Sequence, residues 1–161
     1  MPLLVPLLAS EDLGGDSTYW DSVTNVTQSD FVTSSASLVD ITGLTFAAVA
    51  NTKYEVEVYL VGQASNGTGV RTAITFSAAG TTGQFFCVSS LTITTQGSIP
   101  EPFGTAAVQN NWTTATTDEF TMMFGIIEIG ANAGNITAQI FKNGGGSVTV
   151  YKGSSMKIRK L

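Results

Sequence analysis

Lys53-Tyr54-Glu55-Val56-Glu57-Val58-Tyr59-Leu60-Val61 repeats every two residues. Tyr54, Val56, Val58 and Leu60 fall on one side; Glu55, Glu57, Tyr59 and Val61 fall on the other. Side chains that alternate in this way, with β-branched and aromatic residues throughout, describe a half-buried strand. Working outward, Val70-Arg71-Thr72-Ala73-Ile74-Thr75-Phe76 repeats the pattern, with Val70, Ile74 and Phe76 on one side. Between the two runs lies Gly62–Gly69, whose Asn66-Gly67 pair suits a turn of positive φ, so an adjacent antiparallel pair is expected.

Further runs lie at Leu38–Phe46, Gln84–Ile93, Glu119–Ile129, Asn135–Phe141, Ser147–Tyr151 and Met156–Leu161. Their spacing is that of a sandwich. Ala47–Ala50 reads as a turn, and no long stretch has helical periodicity. The fold class expected is all-β: an antiparallel β-sandwich, jelly-roll-like, with an extended N-terminal arm. Residues 1–36 form the arm and an irregular lead-in with a weak strand, and residues 37–161 form the β-sandwich domain. Residues 95–118, with Pro100 and Pro102, read as a long connector.

The longest run is apolar on both sides. Phe120, Met122, Phe124 and Ile126 share one face, while Met123, Ile127 and Ile129 share the other, with Gly125 between. Such a strand is covered twice, once by the opposite sheet and once by another subunit. Met123, Ile127 and Ile129 are assigned to the subunit contact. The arm opens Met1-Pro2-Leu3-Leu4-Val5-Pro6-Leu7-Leu8-Ala9, too short for a membrane span and without the basic region of a signal peptide. Leu3, Leu4, Leu7, Tyr19 and Trp20 are therefore expected to lie against a neighbouring chain.

Composition narrows the chemistry. The 161 residues include 7 basic and 12 acidic ones, a net charge of −5, with no His and one Cys. Without His, the commonest general base near neutral pH is missing, and so are His-containing triads and Cys–His zinc sites. A single cysteine forms no internal disulfide, and Cys87, within Phe85-Phe86-Cys87-Val88, reads as a small buried hydrophobe. Charge is split, −9 over residues 1–150 and +4 over 151–161. An acidic body with one short basic end is no phosphate-neutralising groove, so neither nucleic acid nor membrane is expected as a partner. Lys157, Arg159 and Lys160 are expected to meet acidic groups of a neighbour.

Other candidates are weaker. Glu55 and Glu57 project together about 7 Å apart, a separation found in glycosidases, but those carboxylates face each other across a cleft. Gly144-Gly145-Gly146 leads into a strand, not a helix, and cradles no phosphate. Four Asn-x-Ser/Thr triplets are chance products of a chain holding 23 Thr and 15 Ser. No catalytic residue, cofactor or metal ligand is assigned. Trp112, within Asn110-Asn111-Trp112-Thr113-Thr114, is expected as an exposed loop aromatic able to stack on a glycan.

Four segments carry a resemblance. Leu38-Val39-Asp40-Ile41-Thr42-Gly43-Leu44-Thr45-Phe46 is followed by Ala50-Asn51-Thr52-Lys53-Tyr54-Glu55-Val56-Glu57-Val58. Gly130–Gln139 and Val148–Leu161, the latter containing Lys152-Gly153-Ser154-Ser155-Met156-Lys157-Ile158-Arg159, complete it. Over residues 37–161 the chain resembles small accessory structural proteins of tailed bacteriophages. The resemblance implies a β-sandwich virion protein, often trimeric, that decorates a capsid or forms part of a head or tail fibre, and supplies no catalytic residues. The reading it favours is a capsid decoration (cement) protein on the outer surface of the head, partnered by itself as a homotrimer and by the major capsid protein. The alternatives are a tail-associated domain binding a host glycan through Trp112, a polysaccharide-active enzyme using Glu55 or Glu57, and a secreted lectin-like domain.

Overall fold

The computed structural model describes residues 22–66, 69–89, 101–102, 112, 117–142 and 144–161. Leu3, Leu4, Leu7, Tyr19 and Trp20 lie outside the described residues. Eleven strands are described: β1 (Ser22–Val26), β2 (Phe31–Thr33), β3 (Val39–Ala48), β4 (Lys53–Ala64), β5 (Val70–Phe76), β6 (Thr82–Ser89), β7 (Glu101–Pro102), β8 (Glu119–Glu128), β9 (Gly134–Lys142), β10 (Val148–Val150) and β11 (Ser155–Lys160).

Every pairing is antiparallel. The larger sheet runs β1-β11-β4-β8-β6-β7, and the smaller runs β3-β9-β5. β4 is twelve residues long and carries two partners on one edge. β11 pairs with Tyr54–Tyr59, and β10 pairs with Gly62–Ala64 before passing its other edge to β2. The lead-in thus contributes β1 beside β11 and β2 beside β10.

The inner faces of the two sheets share one core. Tyr54, Val56, Val58 and Leu60 of β4 meet Ile136, Ala138 and Ile140 of β9 and Val70 and Ile74 of β5, all buried. Period-2 alternation places each of these inward, and burying each large aliphatic side chain contributes about 1.5–3 kcal/mol. β3 breaks the alternation. Its register against β9 shifts between Asp40 and Thr45, around Gly43 at φ +89°. The bulge turns both Ile41 and Leu44 into the core, although they are an odd number of residues apart. Asn51 takes φ +53° at the turn into β4, a conformation asparagine tolerates better than most residues.

One expected pairing is corrected. β4 and β5 are not neighbours: β4 lies in the larger sheet, and β5 pairs with β9 in the smaller one. The connection crosses from sheet to sheet and is tied to the turn before β10. Ser65 N–H donates to the Ser147 carbonyl at 2.8 Å, and Asn66 Nδ2 donates to the Gly145 carbonyl at 2.7 Å. Alternation states which face of a strand is dry; it does not state which strand lies alongside.

Candidate apolar assembly face

The register builds the outer face of the larger sheet in rows, because directly opposed residues share a side. One row runs Val88, Met122, Tyr59, Ser155; the next runs Phe86, Phe124, Glu57, Lys157; a third runs Gln84, Ile126, Glu55, Arg159. Phe120 stands opposite Val61 beyond the first row. Phe120 is 48% exposed, Ile126 50% and Tyr59 43%. Phe86 and Phe124 stack, with ring centroids 5.4 Å apart and planes 19° from parallel. Tyr59, Phe86, Met122, Phe124 and Ile126, with Glu55 and Glu57 along one side, line a trough of about 630 Å³.

The outer face of the smaller sheet is different in kind. Gln139 Nε2 donates to Asp40 Oδ1 at 2.6 Å, Thr137 donates to Thr45 at 3.4 Å, and Arg71 lies over the Phe141 ring at 5.9 Å. That side is dressed for water; the trough side is not. The half-exposed aromatic and aliphatic side chains thus gather on one sheet, a contiguous patch of the kind that is often functional.

Two expected placements are overturned here. Met123 and Ile127 are fully buried and Ile129 is 2% exposed, all within the chain's own core. They form the inner face of β8 and its end, not the subunit contact; Phe120, Phe124 and Ile126 take the open face instead. Trp112 is not an exposed loop aromatic. It is fully buried, its indole N–H donates to the Thr121 hydroxyl at 2.9 Å, and its ring lies against Gly62. Thr121 is itself buried on the inner face of β8, so the polar end of the indole is satisfied inside the sandwich.

The charged residues sort likewise. Arg159, expected at an acid of a neighbour, forms an ion pair with Glu55 of its own chain at 2.6 Å. Lys157 and Lys160 are exposed on β11. Tyr59 donates to Glu57 at 3.5 Å, and burial, followed by the Glu57 charge, raises its hydroxyl above the ordinary value of 10.0. The two glutamates project from one strand face toward an apolar trough and an arginine, with no opposing acid across a cleft among the described residues. Because the Glu55–Arg159 pair is about one-third exposed, Glu55→Gln is expected to cost less than about 1 kcal/mol in urea unfolding. A loss above 3 kcal/mol would show the pair to be a structural clamp.

Two buried groups complete the picture. Lys142 points inward at the end of β9, and burial lowers its ammonium below the usual value of 10.5. Cys87 is partly buried against the core, its sulfur 3.8 Å from the Thr72 hydroxyl. Among the described residues, no group of three His, Cys, Asp or Glu side chains is placed to hold a metal ion.

No protein-family model and no curated protein matches the chain. Among solved structures, it is similar to a chain in the structure of infectious bursal disease virus, Gx strain, at 16% identity and a TM-score of 0.26. The match covers 85% of this chain and 38% of that one, so the chain spans well under half the length of the protein it matches.

Proposed function

We propose that the chain is a non-enzymatic structural protein of a virion: a capsid decoration protein of a tailed bacteriophage, working as a homotrimer on the outer surface of the head against the major capsid protein. The observation that carries this reading is the open apolar face of β4, β8 and β6, a contiguous aromatic-rich patch of the kind that is often functional in a folded domain. The phage part of the reading rests on the resemblance over residues 37–161. A repeated lattice suits such a surface, because many copies let modest contacts add. The reading assigns no catalysis, cofactor, nucleic acid or membrane to the chain. The glycan-binding alternative loses its carrier with Trp112 inside the core.

The test is particle composition. Quantitative mass spectrometry of purified particles is expected to find hundreds of copies, and electron microscopy to place them on the head between capsomers. Full-length Phe124→Glu, added to particles lacking the protein, is expected to decorate them at least tenfold less well than the parent. A handful of copies located on the tail would overturn the proposal.

A further inference from the structure

We infer that the trough on β4, β8 and β6 receives the apolar segment Pro2–Leu8 of a neighbouring copy, so that subunits are joined by exchanged arms. The inference rests on reading the trough as an assembly contact and names what fills it.

The chemistry of the trough selects the occupant. β8 lies between β4 and β6, so its backbone is engaged in both ladders and offers an incoming chain no strand to extend. Only side chains are on offer: a stacked Phe86–Phe124 pair, Tyr59, Met122 and Ile126. A partner suited to that surface needs apolar side chains and no main-chain ladder. Pro2-Leu3-Leu4-Val5-Pro6-Leu7-Leu8 meets both conditions, since its two prolines lack an N–H and favour the extended form that aromatic-lined grooves recognise. Seven residues in that form span about 22 Å at roughly 3.1 Å each. Along β8 the trough runs from Ile126 to Met122, about 13 Å, and the open apolar face continues past it to Phe120, about 20 Å in all at 3.3 Å per residue.

Geometry points to a neighbour's trough. Ser22 pairs with Arg159, which pairs with Glu55, which pairs with Ile126, so β1 begins level with the near end of the trough. β1 runs parallel to β4, toward the Phe120 end. A segment preceding Ser22 would therefore have to reverse direction to enter the trough of the same chain. Residues 10–21 span at most about 40 Å when extended. They carry Glu11, Asp12, Asp16 and Asp21 and no basic residue, and the receiving sheet exposes Lys157 two strands from β8.

Area argues against the bare faces pairing with each other. With covered aromatic side chains burying 150–250 Å² each, the half-exposed residues of the face amount to roughly 500 Å². A standard interface takes about 800 Å² from each partner. A leucine-rich arm seated in each trough supplies the difference.

Two full-length variants test the exchange by light scattering after size exclusion. One, Leu3→Ser with Leu4→Ser, Leu7→Ser and Leu8→Ser, keeps the trough and spoils the arm. The other, Phe124→Glu, keeps the arm and spoils the trough; Ile126→Glu replaces it if far-UV circular dichroism shows loss of strand. The parent is expected at a multiple of 16.8 kDa and each variant at 16.8 kDa. An equimolar mixture of the two is expected to yield a two-chain species, one intact arm in one intact trough. Persistence of the parent's mass in the Leu→Ser chain would overturn the arm and show that faces pair directly. A monomeric parent would overturn the exchange outright. Decoration of particles by a chain that fails the mixing test would leave the virion reading standing without the arm; success in mixing with no particle binding would remove the virion reading alone.

Discussion

Trp112→Ala is expected to lower the unfolding free energy by about 3–5 kcal/mol and to leave surface binding unchanged in whatever protein still folds. The reasoning starts from size. Trp112 is among the largest fully buried side chains described, in contact with the same core as Leu60, Val148 and Val150. Truncation removes the apolar transfer gain and leaves a hole that rigid strands on both sides cannot close. It also strands the Thr121 hydroxyl, which accepts the indole hydrogen bond at 2.9 Å and is itself buried. Trp112→Phe separates the two parts, keeping most of the volume and losing the bond, and is expected to cost about 1–3 kcal/mol. Equilibrium urea unfolding followed by circular dichroism reads both. A loss below 1 kcal/mol for Trp112→Ala would mean that the indole is not seated inside the sandwich. A loss of adsorption or glycan binding at full stability would restore the exposed-aromatic reading.

The placement of Trp112 illustrates what the sequence carries and what it does not. Its neighbours Asn110, Asn111, Thr113 and Thr114 are polar, so local pattern assigns it to a loop surface. What buries it is not its immediate neighbours: Gly62, 50 residues earlier, clears the space, and Thr121, nine residues later on β8, supplies the acceptor. A partner as distant as Gly62 leaves no mark on the local pattern, and the intervening residues give no periodicity that would aim the indole at Thr121. β4, in contrast, is legible over residues 53–61, because its inner face there is wholly apolar and Glu55 and Glu57 stand on its outer face; Gly62–Ala64, read as the start of a turn, instead continue the strand beside β10.

β8 shows the same limit from another side. Its two faces are both apolar, so alternation alone cannot say which one is dry, and Met123, Ile127 and Ile129 were as eligible for the outside as Phe120, Phe124 and Ile126. The tie is broken by register. Glu55 and Glu57 stand opposite Ile126 and Phe124, which puts the even-numbered residues of β8 on the side where carboxylates meet solvent. Thr121 and Gly125 on the odd-numbered side were a second signal, small residues where a neighbouring indole and strand need room. β8 thus has two apolar faces as expected, with the buried face and the open one exchanged.

The remaining large effect is expected at that glycine. Gly125 sits in the middle of β8, opposite Val56 on one side and Phe85 on the other. A Cβ added there would fall on the Gln84 carbonyl oxygen and within 2.8 Å of the Phe85 Cα, so the obstacle is the backbone of β6, not a side chain that can swing away. β6 must move off β8 or twist, and the ladder between Thr82–Ser89 and Thr121–Glu128 loses its fit. Gly125→Ala is therefore expected to cost about 3 kcal/mol, the upper end of overpacking penalties, against a gain of less than 1 kcal/mol from the stiffer unfolded chain. The displacement should also part the Phe86–Phe124 stack, because Phe86 rides on β6 and Phe124 on β8. Gly125→Ala is then expected to weaken self-association together with stability, whereas Phe124→Glu weakens association alone. Urea unfolding and light scattering on the two chains measure the difference. Wild-type stability in Gly125→Ala would mean that β6 and β8 approach less closely than the ladder shows, and the trough built on their contact would have no fixed floor.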